Sequence, residues 1–232
     1  MKNIGKLAVL GAVLAASASF AFADTIQLGS YATGAAAMGN ANTAMNYAGF
    51  SAGPAPSSGT ASSFTLLPGG VWIAPAANST YVGYAANAGP GGTNPPLGYY
   101  TFTTTFSAIA SESYSGSIDA QADDTTEVLL NGVTIVPFGS LGGDLHCADG
   151  KPNCTQTDIV SLSGLSLLSS NNVLTFVTQQ AGNEAPGTDP SGVDFGATLT
   201  GVATPEPSSL VLLGTGLVGA AGMLFRRRRV TA

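Results

Sequence analysis

The chain has 232 residues and a formal net charge of −6, with only 9% of its residues charged and 31 of them glycine. That length is enough for one domain with a sizeable core. The scarcity of Lys and Arg argues against a nucleic-acid partner, which needs clustered basic side chains to neutralise phosphates.

Lys2 and Lys6 are followed by the apolar stretch Leu7 to Ala16 and then by Ala21-Phe22-Ala23. A basic start, a short apolar segment and an A-x-A site predict a secretory signal peptide over 1–23, with the mature chain beginning at Asp24. The apolar stretch is too short for a permanent membrane span. Setting both chain ends aside changes the charge. Two of the seven basic residues lie in the leader and four in the tail, so residues 24–203 keep Lys151 alone against twelve of the thirteen acidic residues, a net of about −11. Such a surface repels polyanions and is either simply solvated or attractive to divalent cations.

Residues 24–63 are weakly patterned, rich in Ala, Gly, Asn and Ser, and include the loop signature Gly53-Pro54-Ala55-Pro56. An early strand is expected near Thr25 to Leu28. No repeat of fixed 20–50-residue period is present. Residues 64–203 read as short strands rich in Val, Ile, Thr, Tyr and Phe, punctuated by Gly, Pro, Asn and Asp. Strands are predicted at Phe64 to Leu67, Val71 to Ala74, Tyr99 to Ile109, Ser117 to Ala122, Glu127 to Leu130, Val133 to Pro137, Asp158 to Leu162, Asn172 to Gln179 and Val193 to Thr200. Tyr100, Phe102, Thr104 and Phe106 fall on one strand face by period-two alternation. Asn131-Gly132 between apolar runs predicts a two-residue hairpin in which both residues take positive φ. No amphipathic helix is evident between 24 and 203. The expected fold is all-β, an antiparallel β-sandwich.

The order of motifs in 70–200 adds a resemblance. Trp72-Ile73 comes first, then Gly98-Tyr99-Tyr100-Thr101-Phe102, then Ala122-Asp123-Asp124-Thr125-Thr126-Glu127 leading to Asn131-Gly132. Asn171-Asn172-Val173-Leu174-Thr175-Phe176 precedes Pro190-Ser191-Gly192-Val193. The series resembles the jelly-roll modules of secreted bacterial proteins of the galactose-binding and carbohydrate-binding kind. The acidic Asp-Asp-Thr-Thr turn and a cysteine-bearing loop depart from them. The resemblance implies a jelly-roll sandwich; glycan contact is a separate question, because function resides in sites grafted on the fold. Trp72, Tyr99 and Tyr100 would serve as glycan contacts if exposed, whereas most aromatics in a sandwich of this size fill the core.

Cys147 and Cys154 are the only cysteines, and in an exported chain a disulfide across their loop is expected. A metal site from His146, Cys147, Asp149 and Cys154 is the alternative, although the paired spacing of zinc ligands is missing. His146 is the single histidine and no Gly-x-Ser-x-Gly elbow exists, so neither an enzyme nor a resident cofactor is expected. Asp119, Asp123, Asp124 and Glu127 could offer oxygen ligands to Ca2+. The competing reading places Asp123 and Asp124 on an exposed turn.

The tail, residues 204–232, has its own logic. Pro205-Glu206-Pro207 is followed by an uncharged apolar run and then by Arg226-Arg227-Arg228-Arg229. A helix over 208–225 would span about 27 Å, near the thickness of a hydrocarbon core, and the arginines would act as the topological stop on the cytoplasmic side. Gly214-Thr215-Gly216-Leu217-Val218-Gly219 matches a dinucleotide fingerprint, but it lacks the preceding strand and following acidic residue that chemistry needs. The order of proline-flanked Glu, apolar run and basic end resembles the PEP-CTERM sorting signal. That resemblance implies recognition of Pro205, Glu206 and Pro207 by exosortase, a membrane-embedded processing partner, after export and transient anchoring in the inner membrane. The expected destination is the cell surface or extracellular matrix. The expected role is structural or adhesive within exopolysaccharide or biofilm, with a carbohydrate-binding module as the second reading and a secreted hydrolase as the third.

Overall fold

A computed structural model describes residues 23–30, 39–142, 147–182, 188–203 and 207–230. The signal peptide predicted over 1–23 lies, but for Ala23, outside the described residues, as do His146, Pro205 and Glu206. Two compact units are distinguished, and the larger one runs from Asp24 to Gly201.

That unit is all-β, as expected. Its strands are β1 (Thr25–Gly29), β2 (Ala41–Ser51), β3 (Ala61–Leu66), β4 (Tyr81–Gly83), β5 (Gly98–Phe106), β6 (Glu112–Asp123), β7 (Thr125–Leu130), β8 (Val133–Val136), β9 (Asp158–Ser166), β10 (Asn172–Gln180) and β11 (Gly192–Ala203). They form one sheet in the order β8-β7-β10-β5-β2-β3-β4-β11-β6-β9, with β1 paired to β11. The described registers are antiparallel, among them Phe176↔Phe102 in β10–β5 and Gln27↔Thr198 in β1–β11.

The sheet curls back on itself. Five strand steps separate β10 from β11 in the hydrogen-bonding order, about 24 Å in a flat sheet. Yet the rings of Phe176 on β10 and Phe195 on β11 stand 4.5 Å apart. The two halves of the sheet therefore face one another as the layers of a sandwich. Between them lies one core that joins Met45, Phe102, Ile118, Val128, Phe176 and Phe195. A second, smaller cluster holds Leu66, Trp72, Tyr81, Ala88 and the cysteines.

Local chemistry accounts for several elements. The Asn131-Gly132 turn joins β7 to β8 with φ of 50° and 82°, the left-handed pair its hairpin requires. Asn131 also accepts a hydrogen bond from the Val173 amide at 2.8 Å, which ties the turn to β10.

Two expectations are corrected. Residues 24–63 are not a weakly patterned preamble: they supply β1, β2 and the start of β3, and β2 lies between β3 and β5. The period-two signal of β2 is broken by register shifts between Asn42 and Asn46 and between Tyr47 and Gly49, and its buried positions include small Ala48. Val71 to Ala74 is not a strand. The Trp72 amide closes a turn onto Gly69 (3.1 Å) and the Ile73 amide donates to the Cys154 carbonyl (3.0 Å), so neither joins a ladder. The tail carries a helix of its own. Helix α1 (Pro207–Val230) starts on the second proline, a residue suited to a first turn where no amide partner is needed. Among the described residues no helix is long and apolar enough to cross a membrane, so the transmembrane helix expected over 208–225 is not shown.

Removing the Phe176 ring opens the seam between the two halves. Phe176→Ala is expected to cost about 3–5 kcal/mol in urea unfolding, whereas Val133→Ala, at a 68% exposed position, should change stability by less than about 0.5 kcal/mol.

Candidate functional site

The acidic turn is buried. Asp123 and Asp124 end β6 and precede β7, and their exposures are 0% and 2%. This corrects the expectation of a solvated turn, and the reason is that donors come to both residues from elsewhere in the fold. Trp72 Nε1 donates to Asp123 Oδ2, and the Ser191 hydroxyl donates to the Asp123 carbonyl at 3.1 Å. The Ala181 amide donates to Asp124 Oδ2, while the Asp124 amide donates to the Gln179 carbonyl at 2.9 Å.

Trp72 is accordingly a core residue and not an exposed platform. Its ring stacks on Tyr81 at 4.4 Å, and the Tyr81 hydroxyl donates to Gln121 Oε1 at 2.8 Å. Burial holds the Tyr81 pKa far above the ordinary phenol value, with the Asp194 and Asp123 carboxylates adding to the effect. The predicted Cys147–Cys154 disulfide is formed, with both residues buried against this cluster. Beside it opens an apolar cavity of about 260 Å³, lined by Val71, Trp72, Pro90, Pro190, Thr188 and Asp123.

Of the other aromatics proposed for glycan contact, Tyr100 is buried, its hydroxyl donating to the Pro96 carbonyl at 2.7 Å and its ring 4.8 Å from Tyr84. Burial raises its pKa, with Tyr84 and Tyr47 contributing. Tyr99 alone is partly exposed, its ring edge-on to Phe138 at 5.9 Å. As adjacent residues of β5 they face opposite ways, as alternation requires.

The four carboxylates considered for Ca2+ are not gathered into one site. Asp119 sits mid-strand on β6, apart from the buried pair, and Glu127 Oε1 accepts the Thr134 hydroxyl at 2.8 Å. Among the described residues no group of three His, Cys, Asp or Glu side chains is placed to hold a metal.

Asp119 instead lines a second depression of about 420 Å³, an open polar groove. Gln27 of β1, Ser117 and Asp119 of β6, Thr198 of β11 and Asn78 from the β3–β4 connection surround it, and Gly29 and Gly196 contribute backbone with no side chain. Gly29 has no room for more: a Cβ there would come within 2.7 Å of the Asn78 carbonyl oxygen.

The wall carrying Asn78 is held from behind by Asp194, a fully buried residue of β11. The Ser30 hydroxyl donates to Asp194 Oδ1 and the Ala76 amide to Oδ2, each at 2.7 Å. Ser30 Oγ in turn accepts the Thr80 amide at 3.2 Å. Burial pushes the Asp194 pKa up, and the hydrogen bonds from Ser79, Ala76, Ser30 and Phe195 pull against it. The groove was not visible in the sequence, because its residues come from four separated segments and none belongs to a chemical motif. Its only early trace was Asp119.

In the tail, β11 ends at Ala203 and α1 begins four residues later. Arg226 is exposed; the side chains of Pro207 and Arg227 to Arg229 lie outside the description.

Comparison with known proteins bears first on this tail: residues 203–229 match the PEP-CTERM protein-sorting motif. The chain is thereby an exported protein addressed to exosortase for processing at the membrane. No curated protein matches the chain. Similar solved structures include a family 35 carbohydrate-binding module from an environmental isolate, at 11% identity and a TM-score of 0.29, covering 70% of this chain and 96% of that one. Another is the CBM36-1 domain of a multidomain xylanase from the hindgut metagenome of Trinervitermes trinervoides, at 12% identity and a TM-score of 0.24, covering 60% and 91%. An isomalto-dextranase of Arthrobacter globiformis complexed with panose matches at 10% identity and 0.29, over 76% of this chain but only 23% of its own. At such TM-scores the fold assignment rests on the strand pairings above.

Asp194 supplies a pH signature. A carboxylate whose pKa is raised on folding binds its proton more tightly in the folded state. Its contribution is therefore full below the unfolded value near 3.8 and is lost as pH rises through the elevated folded value. Unfolding midpoints measured from pH 4 to 7 should fall with pH more steeply in the parent than in Asp194→Asn. At pH 4 the variant should lie close to the parent, because the amide keeps one carbonyl oxygen to accept the Ala76 amide, as a neutral carboxyl does.

Proposed function

We propose that this chain is a surface or matrix protein that exosortase processes after export, and that its β-domain has a structural or adhesive role in exopolysaccharide. One observation carries the reading: the sorting motif at 203–229 begins on the last residue of β11, so folded domain and processing segment are one continuous stretch of chain. The acidic side chains support a non-catalytic role. Asp123 and Asp124 are engaged by Trp72 and Ala181, which uses them to hold the fold together.

Carbohydrate binding is the second reading, and the polar groove favours it over the aromatics. Gln27, Asn78, Ser117, Asp119 and Thr198 present amide, hydroxyl and carboxylate groups on a backing fixed by Asp194. Such groups pair with sugar hydroxyls, and a pre-set geometry lowers the ordering cost of binding.

Replacing Pro205, Glu206 and Pro207 together by Ala should leave export intact and abolish processing, read as the unprocessed mass retained in the membrane fraction. Identical mass and distribution for parent and variant would sink the sorting proposal. For the groove, Asp119→Ala should weaken binding of the processed protein to a host-derived exopolysaccharide by about fivefold, the equivalent of one hydrogen bond. Equal retention of parent and variant on the immobilised polymer would reject the groove as the contact.

A further inference from the structure

Glu112, the first residue of β6, is only 7% exposed, and its Oε2 has no hydrogen-bond partner among the described residues. A carboxylate oxygen kept from water without a donor is unfavourable, so its surroundings are informative. The oxygen rests on the backbone of β11: a Cβ built on Gly201 would lie 1.9 Å from it. The Gly201 amide donates to the Asp24 carbonyl at 2.7 Å. Thus Glu112 and the main chain of Asp24 flank the same glycine.

Tyr114 joins the group. Its ring lies 2.8 Å from the same Cβ position, and its hydroxyl donates to Asp24 Oδ2 at 3.0 Å while accepting the Ile109 amide at 2.9 Å. Burial pushes the Tyr114 pKa up, and the Asp24 and Glu112 carboxylates both add to it, which marks them as neighbours of one hydroxyl. Two carboxylates thus act on one hydroxyl, that of Tyr114. Lys151, the single Lys or Arg of residues 24–203, pairs with Asp158 at 3.5 Å.

Ala23-Asp24 is also the bond at which the A-x-A site predicts cleavage. We propose that Glu112 is an ammonium-binding site whose ligand is the chain's own N-terminus, created when the leader is removed. Hydrolysis of the Ala23–Asp24 peptide bond consumes one water and leaves a carboxylate on Ala23. The freed Asp24 amine keeps the proton as an α-ammonium at neutral pH. That cation then pairs with Glu112 and with the carboxylate of Asp24 itself beside Tyr114. Processing thereby locks β1 to the end of β11, and the folded domain is completed only in the exported chain. The proposal rests on the signal-peptide reading, which mass spectrometry of the processed N-terminus tests separately.

The experiment uses the processed protein before and after selective acetylation of its α-amine near pH 6.5, where Lys151 stays protonated. Acetylation is expected to lower Tm by roughly 2–6 °C in the parent and by much less in Glu112→Gln. An ammonium stabilised by folding has a raised pKa, so the parent's advantage should be full below about pH 7.5 and should fade as pH rises above the elevated value. Should Glu112→Gln not fold, the α-amine of the parent titrated by NMR replaces it, with a pKa above about 8 expected. Unchanged Tm on acetylation, an equal loss in Glu112→Gln, or an amine titrating at its ordinary value would overturn the pairing. A mature chain that starts at another residue would instead overturn it through the cleavage site, leaving the Tm comparison to stand apart.

Discussion

The whole domain depends on a long sheet having to bury its inner face against itself. Eleven strands in one hydrogen-bonded series cannot remain flat, because twist accumulates and an apolar face left in water is unfavourable. The contact of Phe176 with Phe195 marks where the two halves of the series face each other. Everything with chemical character is arranged around that seam: the disulfide cluster occupies a smaller core of its own, and the polar groove lies over β1, β6 and β11.

A second constraint is the near absence of basic side chains between 24 and 203. Buried carboxylates normally rely on Arg or Lys, and here Asp123, Asp124 and Asp194 take neutral donors. Asp123 takes an indole N–H, Asp124 and Asp194 take backbone amides, and Asp194 adds a serine hydroxyl. The bonds to Asp123 and Asp194 tie irregular segments to a strand, and the Ala181–Asp124 bond ties two connections to each other. The acidic residues therefore act as clips for irregular segments, a role that an average over the surface charge conceals.

The fold was legible wherever the signal was local. Asn131-Gly132 specifies its turn through backbone preference alone, and the strands on either side follow. The disulfide was legible from composition and compartment. β2 was not, because its bulges break alternation and most of its side chains are small or polar. The acidic turn was misread because two adjacent Asp residues look solvent-seeking until Trp72, fifty-one positions away, is brought against the first of them. The groove escaped notice for the same reason. Gln27 and Thr198 become neighbours only through the β1–β11 register, and no spacing along the chain announces it.

The continuity of β11 with the tail has a mechanical side. β11 lies between β4 and β6 in the sheet, with β1 also paired along Gly196 to Thr200. A pull directed along β11 loads the sheet along the axis of this strand. Ladder bonds run across the strands, so such a pull shears many of them together and does not unzip them one after another. A pull along β11 therefore loads its pairings with β4, β6 and β1 together.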